Sequence, residues 1–249
     1  LLGIRVLDPS LVEQTRLNSF DQYIQSLPDK ESDVVLLSLG EETLAVYGQY
    51  PFPRQTYAQL ISDLRNANAG MIAFTLMFPE ADRFGGDEVF ISWVKDNGII
   101  LAQDASSRGR SDTAPYVGTA TLGAGDAYDF VPKYKGLVTN IKALEEVAWG
   151  VGLINAGVEV DNITRRIPLL SQINGQLYPA MPLEIIRVIQ DKPSYSLKAD
   201  LDGIKDVMIP PYEPIKTDYN SSIWLNTNYT HVEYEYGKDV LPNLQGRTV

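Results

Sequence analysis

The stretch Met71–Phe78, with the sequence MIAFTLMF, decides the fold. It is a short and almost unbroken apolar run, which is typical of a β-strand that is buried on both faces. Two similar runs accompany it: Asp33–Leu39 (DVVLLSL) precedes it in the chain, and Ile99–Gln103 (IILAQ) follows it. We therefore predict that these three segments form adjacent, parallel strands.

Helical patterns separate the three predicted strands. Asp87–Asn97 has the pattern of a helix between the second and the third. The order of strand, helix, strand, helix and strand predicts an α/β fold with a mostly parallel central sheet flanked by helices. The helix between the first and the second predicted strand is indicated by apolar residues at the i, i+3, i+4 and i+7 spacing of one helix face: Tyr57, Leu60, Ile61 and Leu64.

The second half of the chain is richer in strand patterns. Arg166–Ile173 and Gln176–Tyr178 are joined by Asn174-Gly175, a pair that favours a tight hairpin turn. We predict that this hairpin and the β-rich C-terminal part form an antiparallel extension or a second layer. The polar segment Ala105–Lys135 is interpreted as an excursion or lid. Since no linker or repeat divides the chain, residues 1–249 are expected to be a single domain.

Composition excludes several classes of function. The 249 residues carry 21 basic and 32 acidic side chains, a net charge of −11, which does not suit binding to nucleic acid. There is no cysteine, so disulfides, thiol catalysis and cysteine-ligated metals are excluded. His231 is the single histidine, and no nucleophile motif accompanies it. We therefore expect no catalytic residues, no metal and no cofactor.

One motif invites a different interpretation. Gly85-Gly86-Asp87-Glu88-Val89-Phe90 resembles the Gly-Gly-Asp-Glu-Phe signature of diguanylate cyclases, but a valine separates the acids from the phenylalanine. In a strand, one extra residue moves Phe90 to the opposite face. We interpret the segment as a loop followed by a helix, with Asp87 and Glu88 in the first turn, where the helix dipole favours acidic side chains.

Four segments, taken in order, resemble a CHASE domain of the second type, the extracytoplasmic sensor of bacterial transmembrane signalling proteins. Tyr50 and Phe52 stand where that family has tryptophans, and Thr75 stands where it has an aspartate. The segments are Leu7-Asp8-Pro9 with Phe20-Asp21; Gly48–Arg54 (GQYPFPR); Ile72–Glu80; and Gly152–Asn155 with Asp161, Arg165–Leu169 and Tyr178–Met181.

The resemblance implies a membrane receptor. A sensor of this kind lies on the periplasmic or extracellular face, is tethered through flanking membrane helices, and controls a cytoplasmic cyclase, histidine kinase or Ser/Thr kinase. We expect a homodimer in the full-length protein and an unknown small-molecule or protein ligand. The start without Met and the strand-like Leu244–Val249 predict that the chain is excised from a longer membrane protein.

A proline-stiffened turn supplies the first candidate ligand-binding residues. Pro51 and Pro53 restrict the backbone around Phe52, and Arg54 then begins a helix. Arg54 would lie at the carboxyl edge of the parallel sheet, where open α/β sheets bind ligands. Alternatively, the turn is only a rigid start to the helix, with Tyr50 and Phe52 in the core.

A pair of adjacent arginines supplies the second group. Arg165 and Arg166 need acidic partners, and Asp161 and Glu159 lie just before them. These acids would form structural ion pairs, whereas an anionic ligand would use the same guanidinium groups. Asn155, from the family-like segment, completes the candidate set.

Three functions stay open on the sequence. The first is a sensor that binds a ligand and changes an equilibrium between two states. The second is a carboxylate-dependent periplasmic hydrolase, for which the 32 acids supply candidates but no specific pair. The third is a ligand-free dimerisation module, which ligand-dependent melting would distinguish from a sensor. The absence of cysteine and the single histidine favour the sensor over the hydrolase.

Overall fold

The computed structural model describes residues 10–108, 118–237 and 241–249, so the motif Leu7-Asp8-Pro9 and part of the predicted excursion lie outside the described residues. The helices are α1 (Ser10–Ser26), α2 (Glu41–Tyr47), α3 (Arg54–Asn66), α4 (Asp87–Asp96), α5 (Lys142–Glu145) and α6 (Met181–Ile189), with a 3₁₀ turn at Ala127–Asp129. The strands are β1 (Lys30–Ser38), β2 (Ile72–Phe74), β3 (Ile99–Ser106), β4 (Thr119–Leu122), β5 (Lys133–Tyr134), β6 (Gly136–Val138), β7 (Gly150–Leu153), β8 (Arg166–Pro168), β9 (Leu170–Ile173), β10 (Gln176–Pro179), β11 (Tyr195–Asp200), β12 (Gly203–Met208), β13 (Ile215–Lys216), β14 (Ser222–Trp224) and β15 (Tyr229–Glu235).

The predicted α/β class is confirmed, and the central sheet is mostly parallel. β2 pairs with β3 and β3 pairs with β7, both in parallel. β6 adds an antiparallel pairing at the far end of β3. Helices α3 and α4 pack together and contribute to one core, whereas α6 contacts β7 and β3. Because these strands are covered by helices, β3 is almost entirely buried.

The prediction that β1 lies directly beside β2 is wrong, because the C-terminal tail (residues 247–249) lies between them. Thr248 forms parallel bridges to Val34 of β1 and to Met71, just before β2. The Val35 N–H donates to the Thr248 carbonyl at 2.8 Å, and the Val249 N–H donates to the Met71 carbonyl at 2.8 Å. The strand order β15, β1, tail, β2, β3, β7 therefore joins both halves of the chain.

The C-terminal strand β15 also differs from the prediction. The sequence pattern places it in an antiparallel extension, but it pairs in parallel with β1 and extends the central sheet. The expectation does hold for β14, which pairs antiparallel with β8. The strand β15 is present, but its expected antiparallel arrangement is wrong, since a local pattern does not select which strand lies alongside.

The predicted hairpin is confirmed as β9 and β10, paired antiparallel around Asn174 and Gly175. Both turn residues have positive φ, 51° and 79°, which Asn and Gly tolerate and which a two-residue hairpin turn requires. The preceding run is interrupted at Leu169, whose N–H donates to the Ser221 carbonyl. For this reason β8 separates from β9 and pairs with β14.

Two further boundaries are corrected. The predicted strand Met71–Phe78 is regular only over β2, and the Phe78 N–H instead donates to the side chain of Asn140 at 2.8 Å. The expectation that Ala105–Lys135 is an excursion or lid is wrong for its described part, which contributes a strand and core residues. Its strand β4 pairs in parallel with β11, and Ala127 and Val131 are buried in a second core beneath the antiparallel strands β11 and β12.

The apolar face of α3 is confirmed, and an aromatic cluster lies beneath it. The cluster consists of Tyr57 of α3, Phe90 of α4, Phe74 at the end of β2 and Phe78 four residues further on. Their ring centroids are 4.9 to 6.2 Å apart, mostly edge to face. Such contacts are favourable for aromatic pairs. Burial raises the pKa of Tyr57 to about 12. This cluster forms the floor of the candidate site.

Candidate ligand-binding site

The proline turn leads into α3 as predicted, since the helix begins at Arg54 with Pro53 before it. Pro fixes its own backbone angle and disfavours helix in the residue before it, so Phe52 stays extended. Phe52 is buried in the core, whereas Tyr50 is 54% exposed. The turn therefore supplies one core residue and one residue at the surface, rather than two of either kind.

Arg54 contacts the segment that follows β2 and approaches the first residue of α4. Its guanidinium donates to the Glu80 carbonyl at 3.0 Å and lies 4.4 Å from the centroid of the Phe78 ring. Its Nε is 3.5 Å from Asp87 Oδ1, a separation too long for a well-formed hydrogen bond. Both of these buried atoms lack a hydrogen-bond partner. The structure thus places a buried and incompletely bonded cation at the carboxyl edge of the sheet.

Asp82 fixes the loop that faces Arg54. Its carboxylate accepts hydrogen bonds from the backbone N–H groups of Arg54 at 3.0 Å, Gly86 at 2.9 Å and Phe84 at 3.2 Å. Burial alone would raise the pKa of Asp82, but these N–H groups and the charge of Arg54 lower it below its usual value. Asp82 therefore remains ionised and joins the start of α3 to the start of α4.

A surface cavity of about 290 Å³ lies between the proline turn and this loop. Its volume lies just below the usual range for small-molecule sites, about 300–1,000 Å³. Its walls combine aromatic and apolar side chains with a few charged groups: Tyr50, Pro51, Phe52, Arg54, Tyr57, Met77, Phe78, Pro79, Glu80, Ala81, Asp82, Arg83 and Phe84. We refer to it below as the Arg54 cavity.

Asn155 does not line this cavity; it follows β7 and binds the end of β3. Its Oδ1 accepts from the Ala105 N–H at 2.6 Å, while its Nδ2 donates to Asp104 Oδ1 at 2.6 Å and to the Ala105 carbonyl at 3.1 Å. The side-chain amide thus continues the pairing of β3 and β7 beyond the last regular residue. Asn155 therefore stabilises the pairing of β3 with β7.

Arg165 lies in a second cluster and is only 4% exposed. It makes bidentate contacts with Asp161 at 2.7–2.9 Å and with Asp21 of α1 at 2.6–2.7 Å. Its hydrogen bonds lower the pKa of Asp161 to about 2 and also lower the pKa of Asp21. The predicted partner Asp161 is present, and Asp21 is one that sequence reasoning did not assign.

Arg166 has its own acidic partner. It forms a bidentate pair with Glu159, with both contacts at 2.7 Å, and its guanidinium lies 4.8 Å from the Trp224 ring. The hydrogen bonds from Arg166 lower the pKa of Glu159. The geometry therefore favours intramolecular ion pairs over an anion site at both arginines. Of the predicted ligand-binding residues, the structure brings together Tyr50, Phe52 and Arg54 in one place, and Asp161, Arg165 and Arg166 in another.

Sequence reasoning missed Asp82 and placed Asp87 only in the first turn of a helix, without a contact to Arg54. It also missed a buried polar group beside β3. Asn140 donates to the Ala102 carbonyl at 2.9 Å and to Glu145 Oε1 at 2.7 Å. Burial raises the pKa of Glu145, whose Oε2 lacks a partner. A glutamate in α5 gives no sequence signal of this environment, because its burial depends on packing against distant strands.

Two features are absent from the described part of the chain. Within residues 10–108, 118–237 and 241–249, there is no group of three or more His, Asp or Glu side chains placed to hold a metal ion. Over the same residues, no helix has the length and apolar character needed to span a bilayer.

The fold is α/β, and the Arg54 cavity lies at the carboxyl edge of its parallel sheet. The CHASE2 domain family model matches residues 1–249, so the chain belongs to the CHASE2 domain family. The expected resemblance is thereby confirmed over the whole chain. CHASE2 domains are extracytoplasmic sensory modules of signalling proteins and are not a catalytic family. Comparison with curated proteins and with solved structures finds no match.

Proposed function

We propose that this domain senses a small molecule in the Arg54 cavity and relays its binding to a cytoplasmic cyclase or kinase. The observation that carries the proposal is the buried guanidinium of Arg54, whose Nε lacks a hydrogen-bond partner at the wall of a carboxyl-edge cavity. Open α/β sheets bind ligands at this edge. The family supports the sensory role, and the cavity supports a small ligand rather than a large one.

The chemistry of the walls suggests the class of ligand. Aromatic side chains offer flat apolar faces, and the Nε–H of Arg54 offers a donor to an acceptor atom. A carboxylate is the acceptor that arginine binds best. The weak 3.5 Å contact with Asp87 is the interaction that such a ligand would replace. We therefore propose a compact aromatic or apolar carboxylate.

The position of the cavity suggests how binding would be relayed. The cavity lies between the start of α3 and the loop 77–84, which begins three residues after the end of β2. A ligand that prefers one arrangement of these two elements shifts the equilibrium toward that arrangement. The shift then acts on the central sheet, because β2 belongs to that sheet.

A thermal-shift experiment tests the ligand site. We expect benzoate, phenylacetate or a related aromatic carboxylate to raise the Tm of the wild-type domain, because a ligand that binds the folded state stabilises it. The Arg54→Gln variant should lose this shift. Arg16→Gln is the matched control, since Arg16 lies on α1 with its side chain 51% exposed.

An equal shift in Arg54→Gln and wild type would contradict the proposed site. If no compound shifts the Tm while the domain dimerises in solution, the ligand-free dimerisation module is the better function. Turnover of a substrate that is abolished by a carboxylate substitution would instead favour the hydrolase.

A further inference from the structure

A second surface cavity, of about 370 Å³, lies at the opposite end of α3 from Arg54. Asp63 and Asn66 line it from the last turn of that helix, and its aromatic wall comes from Tyr47 at the end of α2 and Tyr236 just after β15. It shares no lining residue with the Arg54 cavity. Its volume is within the usual range for small-molecule sites, about 300–1,000 Å³. We refer to it as the Asp63 cavity.

Asp63 places a carboxylate in the wall of this cavity. Its Oδ2 accepts a hydrogen bond from the Tyr236 hydroxyl at 2.8 Å, and its Oδ1 accepts one from Gln59 Nε2 at 2.8 Å. Both donors are neutral, and each carboxylate oxygen can accept more than one hydrogen bond. Among the residues that the structure describes, no basic side chain forms an ion pair with Asp63, whereas Asp161 and Glu184 are each paired with an arginine. Asp63 therefore carries an uncompensated negative charge and has acceptor capacity to spare.

The two tyrosines stack beside this carboxylate. Their ring centroids are 5.2 Å apart, and the ring planes are nearly parallel, at 4°. Tyr236 is buried, while Tyr47 is half-buried and keeps part of its surface open. The face of a tyrosine ring is the negative side of its quadrupole and attracts cations. The wall of the Asp63 cavity therefore combines a carboxylate with aromatic surface, and both attract positive charge.

The composition of the wall favours an organic cation over a metal ion. The described residues that line the cavity include one carboxylate and no basic side chain. Calcium and magnesium ions require several oxygen ligands, which Asp63 and the amide oxygen of Asn66 do not supply. An ammonium group needs fewer acceptors, and the apolar side chains of Ala67 and Leu241, with the tyrosine rings, suit a hydrocarbon body.

We propose that the Asp63 cavity binds a compact organic ammonium ion, with the charged nitrogen at Asp63 and the apolar part against Tyr47. Asn66 follows Asp63 by three residues and lies on the same face of α3, so its side-chain carbonyl is a second acceptor. The domain thus has two ligand sites of opposite charge preference, at the two ends of one helix. The Asp63 cavity rests on its own lining and not on the proposed function, so either site can fail alone.

Two probes of similar shape test the site: benzylamine, which is positively charged at neutral pH, and benzyl alcohol, which is neutral. NMR titration of the domain measures the Kd of each. We expect benzylammonium to bind saturably and benzyl alcohol to bind at least about tenfold more weakly, because hydrogen bonds between charged groups are stronger. Asp63→Asn keeps an acceptor for Tyr236 but removes the charge, and should weaken benzylammonium binding by a similar factor. Tyr47→Leu, which removes an aromatic face, should weaken it about threefold.

Asp96→Asn is the matched control, since Asp96 is an exposed aspartate of another helix, α4, and its loss should leave the Kd unchanged. Equal Kd values for the two probes would overturn the proposal, because apolar filling alone would then explain binding. Unchanged binding in Asp63→Asn would overturn it, and so would an equal loss in Asp96→Asn, which would indicate nonspecific attraction to an acidic protein. The absence of saturable binding at millimolar concentrations would overturn it as well. A benzoate-dependent Tm shift at the Arg54 cavity is unaffected by any of these results.

Discussion

At the scale of single residues, two acids of this domain respond to opposite environments. Asp161 faces the guanidinium of Arg165, whose hydrogen bonds lower the pKa of that carboxyl to about 2. Glu145 is buried, and burial raises its pKa although Asn140 donates two hydrogen bonds to it. Desolvation disfavours a charge, whereas a paired cation favours it.

Glu145 gives a prediction for the dependence of stability on pH. Because its folded-state pKa lies above its unfolded value of 4.5, its contribution is complete below that pH and is lost as pH rises through the folded-state pKa. The Glu145→Gln variant keeps an acceptor for Asn140 but cannot ionise. We therefore expect the free energy of unfolding of wild type to fall relative to that of the variant as pH rises above 4.5, as measured by urea denaturation.

The control for this prediction is Glu146→Gln at the next position in the chain. Glu146 is exposed, and its carboxylate lies 3.6 Å from Lys142 at the surface. Its difference from wild type should vary little over the same pH range, since exposed pairs contribute weakly. A wild-type curve parallel to that of Glu145→Gln would show that the buried carboxyl does not titrate in this range.

At the scale of elements, the backbone of the C-terminal tail packs directly against the backbone of Gly70. The Gly70 N–H donates to the Arg247 carbonyl at 2.9 Å. A Cβ atom at Gly70 would overlap the carbonyl oxygen of Gly246, which is backbone and cannot turn aside. Only glycine therefore lets the tail enter between β1 and β2.

This contact predicts the effect of Gly70→Ala. We expect the free energy of unfolding to fall by about 1–3 kcal/mol, because the added methyl group forces the tail away from its hydrogen-bonding position. Gly118→Ala is the matched control, since a Cβ at Gly118 meets no atom within 4 Å. Denaturant unfolding measures both variants. If the two lose the same amount, the tail is not anchored at Gly70.

At the scale of the whole molecule, distant parts of the chain share one sheet. β15 and the tail, from the last 21 residues, lie on either side of β1, near the start. The central sheet is therefore built from strands of both halves of the chain. Under the proposed function, a change at its carboxyl edge would act on both halves.

The proposed sensory function supplies the last prediction. In the full-length protein we expect an aromatic carboxylate to change the cyclase or kinase output of a homodimer, and Arg54→Gln to abolish that response. The reason is that the variant removes the donor that gives the ligand its differential affinity for the two states. Output assays in membranes, with Arg16→Gln as control, measure the effect. An unaltered response in Arg54→Gln would exclude Arg54 from signal reception.

The sequence predicted part of the candidate site because that part is local. The start of α3 at Arg54 follows from the two prolines, and the partners of Arg165 and Arg166 lie within seven residues of them. Asp82 and Asp21 could not be predicted in the same way. Asp82 is 28 residues from Arg54 in the sequence, and Asp21 is 144 residues from Arg165. Only the fold brings each acid to its arginine.

The sequence by itself determined the alternation of strands and helices, the hairpin at Asn174-Gly175, and membership of the CHASE2 domain family. These features depend on local periodicity, turn chemistry and ordered motifs. Only the tertiary structure decided that the tail separates β1 from β2 and that β15 pairs with β1. The physical reason is that strand partners some 200 residues apart are selected by backbone hydrogen bonding and close packing, which leave no periodic mark on either segment.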